Sequence, residues 1–227
     1  MLYAFVISLI LIAIGELADK SQLLALVFAT RYKAWQVLLG ILLSTLVALS
    51  LATAFGMLVG EFIPPGVLPW VSGLLFVGFG VWTLSGDDGQ DDEAAANKSV
   101  RFGPVLTVAI AFFVAEFGDK TQVMTIAIAA DPGGALLDVL RDSGPAVSSA
   151  LARVGLIPTG EISGVARFTG VALGATVGMV LADAVAIGVG RLLGRRLPER
   201  LLSRISGIAF IAFGVLTITA HYVASRG

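Results

Sequence analysis

Six long apolar stretches run through this chain and restrict what it can fold into. They cover approximately residues 2–30, 35–60, 67–85, 104–130, 166–190 and 203–223. A helix needs about 20 apolar residues to cross the hydrocarbon of a bilayer. Charged residues make up only 14% of the chain, whereas soluble domains carry about 25% and use them to cover their surface. We therefore predict an all-α integral membrane protein with six transmembrane helices embedded in the lipid bilayer.

The composition also limits the chemistry. The chain has no cysteine, which rules out disulfides and thiolate metal sites, and its one histidine, His221, is too few for a histidine-built metal site. Any bound metal must therefore be held by oxygen. The net charge of −1 gives no indication of a nucleic-acid partner. The first apolar stretch lacks the basic start and the cleavage site of a secretory signal, so we expect it to be a helix of the mature chain.

The two halves of the sequence resemble each other. The motif ELADKSQ, which begins at Glu16, recurs as EFGDKTQ at Glu116, and SGLLFVGFGVWT from Ser72 matches SGIAFIAFGVLT from Ser206 at seven of twelve positions. Shared apolar composition would not place four polar residues in the same order and spacing twice. We predict a first three-helix repeat at 1–85, an acidic linker at 86–103, and a second repeat at 104–227 with an inserted segment at about 131–165.

An odd number of helices per repeat implies that the second repeat crosses the membrane in the opposite sense. Inverted repeats with a site near the midplane are typical of secondary transporters. Basic residues concentrate in cytoplasmic loops. One set of loops, which includes the linker, carries nine basic residues and the other four, leaving aside Lys20 and Lys120 within the spans. We therefore expect a cytoplasmic linker, and both termini and the inserted segment outside the cytoplasm.

Each motif places carboxylates deep in a span, where an ionisable side chain is costly and usually functional. At a spacing of three, Glu16 and Asp19 share one face of a helix. Two such stripes would bring together four carboxylates, which suit hard cations such as Ca²⁺ and Mn²⁺. Four acids and two lysines leave a formal charge of −2, which a divalent cation, or protons in its absence, would neutralise. The predicted metal ligands are Glu16, Asp19, Gln22, Glu116, Asp119 and Gln122, with Ser21, Thr121, Lys20, Lys120 and Asp183 as auxiliary candidates.

Structural roles are the alternative for these residues. Glu16 and Lys20 have the i, i+4 spacing of an ordinary helix-stabilising ion pair. Such a pair would leave Asp19 without a partner, and two copies at matched depth favour function. Asp183 stands where the first repeat has Thr53. It could be a fifth ligand, a proton-relay group or the partner of a neighbouring hydroxyl.

The doubled motif resembles the signature Glu-x-Gly-Asp-Lys/Arg-Ser/Thr of uncharacterised protein family 0016, also described as a second cation/proton antiporter family. Bacterial manganese exporters and Golgi manganese/calcium transporters are among its members. The second copy fits the signature completely, and the first has Ala18 in place of glycine. The resemblance covers both halves but not 131–165. It implies that the two carboxylates of each motif bind a transported cation, and we expect a bacterial inner-membrane protein that exchanges this cation for protons.

Two other functions are compatible with buried acids. Phe117-Gly118-Asp119 is similar to the Gly-x-Gly-Asp site of intramembrane aspartyl proteases, but such an enzyme needs two aspartates that share a proton, and a lysine follows each aspartate here. An exporter of a small organic cation would need an apolar or aromatic pocket, and few aromatic residues lie close to the motifs. A non-enzymatic carrier of Mn²⁺ or Ca²⁺ is therefore the leading hypothesis.

Overall fold

A computed structural model of the chain describes residues 1–16, 19–64, 66–85, 103–131, 145–157, 163–193 and 199–224. Within these ranges the side chains at 20, 145–147, 191–193, 199–203 and 224 are not described. The predictions that concern Ala18, the side chain of Lys20, nearly all of the acidic linker and about half of the inserted segment fall outside the described part.

The described residues fold into nine helices and contain no strand. The helices are α1 (Leu2–Gly15), α2 (Lys20–Arg31), α3 (Ala34–Phe62), α4 (Leu68–Ser85), α5 (Pro104–Glu116), α6 (Lys120–Ala130), α7 (Pro145–Arg153), α8 (Gly164–Leu193) and α9 (Glu199–Ala224). Four of them, α3, α4, α8 and α9, are long and apolar enough to cross a membrane. Large apolar side chains on these helices are exposed, such as those of Leu51, Phe55 and Leu74. Lipid would cover such exposed apolar surfaces. Long apolar helices with this surface confirm the prediction of an α-helical membrane protein.

Two of the six predicted spans differ from the expected continuous helix. The first is divided into α1 and α2, and the fourth into α5 and α6. Both interruptions fall within the acidic motif. The expectation that Glu16 and Asp19 share one face of a continuous helix is therefore wrong, because they lie on opposite sides of a break.

Glycines allow helices from the two halves to approach closely. A Cβ atom on Gly40 of α3 would lie 2.7 Å from Cβ of Val108 on α5. At the matching position of the second half, a Cβ atom on Gly170 of α8 would lie 2.7 Å from the carbonyl oxygen of Met1, at the start of α1. Small residues at such crossings are typical of helix packing in membranes. The second helix of each half thus packs on the motif-bearing helices of the other half.

Two hydrophobic clusters lie on either side of the motifs. The first joins α1, α6 and the first half of α8, and includes Ile12, Ile128 and Met179. The second joins α2, α5 and the first half of α3, and includes Phe28 and Phe112. Each motif therefore lies where the chain passes from one cluster to the other. The helices α4 and α9 pack against each other, and Phe76, Phe79 and Phe210 join them to the first cluster.

Candidate functional site

The two helix breaks have the same backbone hydrogen bonds. The amide of Asp19 donates to the carbonyl oxygen of Glu16 over 3.2 Å, and the amide of Asp119 donates to that of Glu116 over 3.2 Å. Each aspartate then occupies the N-cap of the next helix in an extended conformation. Aspartate favours this position over a helix interior, because its short side chain competes with the helical hydrogen bonds. The repeated sequence thus produces a repeated turn.

The backbone conformation at position 118 explains why the second motif has glycine there. Its φ of +85° lies in the left-handed region, which residues with a side chain rarely adopt. The position faces open space, so the backbone conformation, and not crowding, selects glycine here. Glycine at position 118 is therefore favoured for a conformational reason.

Side chains bind carbonyl oxygens at the first break in addition to the backbone hydrogen bonds made there. Nε2 of Gln22 donates to the carbonyl oxygen of Glu16 over 2.6 Å. The hydroxyl of Ser206, on α9, donates to the carbonyl oxygen of Ile14 over 2.6 Å. Within a membrane, irregular backbone is tolerated only where such partners exist. Ser206 was not among the predicted site residues, although the Ser-Gly pair at 72 recurs at 206 and marks its position.

Three carboxylates from the two motifs converge between the hydrophobic clusters. One oxygen each from Glu16, Asp19 and Glu116 lies within 4.8 Å of the other two. Glu16 is 0% exposed and Glu116 is 5% exposed. Ca²⁺ binds oxygen at about 2.3–2.6 Å, so two ligands on opposite sides of one ion are about 5 Å apart. The spacing of these oxygens therefore fits a single divalent cation.

Hydroxyl groups from both motifs bind the carboxylate of Glu16. The hydroxyl of Ser21 donates to its Oε2 over 2.9 Å, and the hydroxyl of Thr121 donates to its Oε1. Both hydroxyls are buried. A carboxylate that accepts hydrogen bonds on each oxygen is held in one orientation. The auxiliary candidates Ser21 and Thr121 thus lie in the shell around Glu16.

Lys120 forms an ion pair across the two motifs. Its Nζ lies 2.6 Å from Oδ1 of Asp19, which is 101 positions away in the sequence. The alternative expectation paired each lysine with the glutamate one turn before it in the same helix. In the second motif the break removes that helical register, and the lysine instead joins the two halves. The ion pair also offsets part of the negative charge of the site.

The two glutamines contact the breaks. Nε2 of Gln22 is bound to the backbone of the first break, as described above, and Oε1 of Gln122 accepts a hydrogen bond from the amide of Gly118 over 3.0 Å. Gln122 thus uses its carboxamide oxygen, the atom that would coordinate a cation, on the backbone. Coordination of a metal by Gln22 and Gln122 stays a prediction.

Asp119 and Asp183 complete the acidic environment. Oδ2 of Asp119 is buried, and no described residue donates a hydrogen bond to it. Asp183 of α8 is 0% exposed, and neither of its oxygens has a hydrogen-bond partner among the described residues. Its helix packs against α1, α2 and α6, which flank the two motifs. Five acids and one lysine with a described side chain thus lie on the two motifs and on a helix packed against them.

Comparison with known proteins identifies the family. The family model for "Divalent cation/proton antiporter GDT1" matches residues 4–91 and 163–225, which is more than half of the chain. The matched ranges include the first motif and omit the second. No solved structure matches the chain significantly.

Relatives from bacteria and plants align over nearly the whole chain. A protein of Vibrio cholerae serotype O1 named "Putative manganese exporter" is 33% identical over 93% of this chain and 88% of its own length. A GDT1-like protein of Synechocystis sp. is 26% identical over 96% of this chain and 97% of its own length. GDT1-like protein 5 of Oryza sativa subsp. japonica is 24% identical over 96% of this chain and 94% of its own length. In agreement with the resemblance of the motif, the chain belongs to the GDT1 family of divalent cation/proton antiporters.

Proposed function

We propose that this protein exports Mn²⁺ or Ca²⁺ from the cytoplasm in exchange for protons. Membership of the family makes it a divalent cation transporter; the metal, the exchange and the direction are the proposal. The observation that carries it is the convergence of Glu16, Asp19 and Glu116 from two separate motifs. Neither motif alone supplies this set of oxygens.

The proposed exchange follows from the charge of the site. A divalent cation stabilises several ionised carboxylates at close range, whereas crowded and buried carboxylates without a cation favour their protonated forms. Binding of the metal therefore releases protons, and binding of protons releases the metal. Ser21 and Thr121 orient Glu16 for either state, and Lys120 limits the excess of negative charge.

The fold supports six membrane crossings in two inverted halves. The passage from α1 to α2 runs from the first hydrophobic cluster to the second, and the passage from α5 to α6 runs in the reverse direction. The helices α3 and α8 also run between the clusters in opposite directions. Each broken pair then counts as one crossing. Broken helices that meet at a midplane site are typical of secondary transporters with inverted repeats.

The oxygen ligands favour hard cations over soft ones. Carboxylates and hydroxyls suit Mn²⁺, Ca²⁺ and Mg²⁺, whereas thiolates and thioethers suit softer metals. Mg²⁺ loses its bound water reluctantly and is seldom held by an all-protein site. The name of the Vibrio relative supports Mn²⁺ as the transported ion.

The other two functions have less support. Members of this family are transporters and not enzymes. An aspartyl protease would need two aspartates that share a proton, and Asp19 is instead paired with Lys120. The three carboxylates that converge here fit a compact metal ion better than a bulky organic cation.

Proteoliposomes that contain the purified protein test the proposal. We expect flux of Mn²⁺ or Ca²⁺ into the lumen, together with a proton signal of opposite direction from a pH dye trapped inside. Protein-free vesicles, and vesicles offered tetramethylammonium, serve as controls. Flux of neither metal would contradict the function, whereas metal flux without a proton signal, where a known exchanger gives one, would indicate a channel or uniporter.

A further inference from the structure

The helix α9 contacts α1 immediately before Glu16. The hydroxyl of Ser206, which is 0% exposed, donates to the carbonyl oxygen of Ile14 over 2.6 Å, although the two residues are 192 positions apart. Phe210 lies one turn further along the same face of α9 and is also 0% exposed. A Cβ atom on Gly15 would lie 2.9 Å from Cζ of its ring, so the ring packs directly on the backbone there. One face of α9 thus holds the two residues that precede Glu16.

The helix that makes these contacts is itself tightly packed against α4. A Cβ atom on Gly80 would lie 2.6 Å from the carbonyl oxygen of Gly207, and a Cβ atom on Gly207 would lie 2.9 Å from that of Gly80. Gly73 and Gly214 approach each other in the same reciprocal way further along the pair. Small residues allow such close contact between helices in membranes. The end of α1 therefore packs on a pair of helices whose backbones are in contact.

The two motifs differ in this support. In the second half, Val114 takes the place of Ile14, and its side chain is 65% exposed. On α4, Phe76 takes the place of Phe210, and the two rings lie side by side with their centroids 6.3 Å apart. Both rings belong to the first hydrophobic cluster, none of whose described members lies on α5. The pair of helices thus supports the glutamate of the first motif more closely than that of the second.

Support of the backbone bears directly on the carboxylate of Glu16. Its two oxygens accept hydrogen bonds from Ser21 and Thr121, and its side chain is 0% exposed. With α9 on its backbone side, the residue is held at both ends. A ligand that is already in place binds an ion more tightly, because less conformational freedom is lost on binding.

We infer that Ser206 and Phe210 are positioning residues for metal binding, which hold the end of α1 and thereby keep Glu16 at the metal site. This inference rests on the proposed function. Neither side chain contacts the ion in this role. Without their contacts α1 still carries Glu16, but its last turn is free to shift, and the cation binds more weakly.

Transport kinetics in proteoliposomes separate this role from a purely structural one. A variant that only folds less well leaves fewer active molecules, so the maximal rate of uptake of Mn²⁺ or Ca²⁺ falls and KM is unchanged. A variant that misplaces Glu16 weakens binding in every molecule, so KM rises. We expect Ser206→Ala to raise KM about 3–10-fold, the loss typical of one buried hydrogen bond, and to keep the maximal rate within about twofold.

Matched variants control for the chemical change. Ser8 is also 0% exposed, and its hydroxyl donates to the carbonyl oxygen of Ala4 within its own helix, so Ser8→Ala should leave KM unchanged. Gly15→Ala tests the second contact, because its methyl group would push against the ring of Phe210 and should also raise KM. Gly78→Ala, in open space on α4, should not.

The outcomes are distinct. An unchanged KM in a folded Ser206→Ala protein would overturn the inference, and so would an equal rise of KM in Ser8→Ala. If Ser206→Ala fails to fold, a raised KM in Gly15→Ala would support the inference and an unchanged KM would overturn it. Uptake of neither metal by the unchanged protein would instead contradict the proposed function, and the inference with it.

Discussion

Glu16 is the residue at which the two motifs meet. Its carboxylate accepts hydrogen bonds from Ser21 of its own motif and from Thr121 of the other. It also lies beside Glu116, so each glutamate contributes to one shared set of oxygens. A shared site has a direct consequence for substitutions, because neither half could bind the cation alone.

We predict that Glu16→Gln and Glu116→Gln each reduce metal transport to the level of protein-free vesicles. The amide keeps the shape of the side chain but removes the charge that attracts the cation. Metal uptake in proteoliposomes measures the effect, and gel filtration verifies the fold. Glu61→Gln makes the same chemical change at an exposed position, and should transport normally. Normal uptake by either site variant would contradict the shared site.

The sequence predicted that carboxylates of the two motifs lie close together, but not how the charged residues pair. The carboxylates could be identified because polar residues at that depth recur in the same order. The bond from Lys120 to Asp19 could not, because it joins residues 101 positions apart and only the packed fold brings them together. The nearer partner by sequence, Glu116, would require a continuous helix.

The helix break is the element that builds the site. Two short helices with a break between them place an N-cap aspartate three residues after each glutamate, with its amide bound to the carbonyl oxygen of that glutamate. The apolar pattern alone predicted an uninterrupted helix, because no proline lies within the motif. Two features of the sequence indicated a helix break only weakly. They are the aspartate, which favours an N-cap, and the glycine at position 118. Hydrogen bonds from distant residues such as Ser206 stabilise the break, and local sequence does not reveal them.

We predict that Gly118→Ala destabilises the protein. A residue with a side chain costs about 1–2 kcal/mol in the left-handed conformation that Gly118 adopts. For a chain of this size, about 1 kcal/mol lowers the midpoint of thermal unfolding by roughly 2–4 °C. Thermal unfolding in detergent should therefore shift down by about 2–8 °C, and transport should fall. Gly78→Ala, in open space within α4, should leave the midpoint unchanged or raise it slightly. An unchanged midpoint in Gly118→Ala would show that the turn tolerates a side chain.

At the scale of the whole molecule, the direction of the two halves determines which side of the membrane each end faces. The nine-to-four distribution of basic residues predicts a cytoplasmic linker and both termini outside the cytoplasm. We predict that a periplasmic reporter is active when fused at residue 227, and that a cytoplasmic reporter is active when inserted near Gly89. Exchanged reporters at the same positions should be inactive. The opposite pattern at both positions would reverse the orientation and the proposed direction of export.

The whole acidic cluster should also make metal binding depend on pH. Protons and the cation compete for the same carboxylates, so protonation removes ligands and lowers the affinity for metal. The affinity should be highest at alkaline pH and should fall as the pH decreases. Each proton displaced by one ion contributes about a tenfold loss of affinity per pH unit within the titration range. We therefore expect each ion to displace one to two protons, so that the affinity for metal falls roughly 10–100-fold per pH unit.

Calorimetric titration of Mn²⁺ or Ca²⁺ into the purified protein between pH 5 and pH 8 measures this slope, and repeating it in buffers of different ionisation enthalpy counts the released protons. Circular dichroism at each pH shows whether the helices are intact, so that unfolding is not mistaken for competition. An affinity that does not change with pH, with no released protons, would mean that the carboxylates are already ionised without the metal. The cation could then not be exchanged for protons at this site, because no proton would be bound there to return.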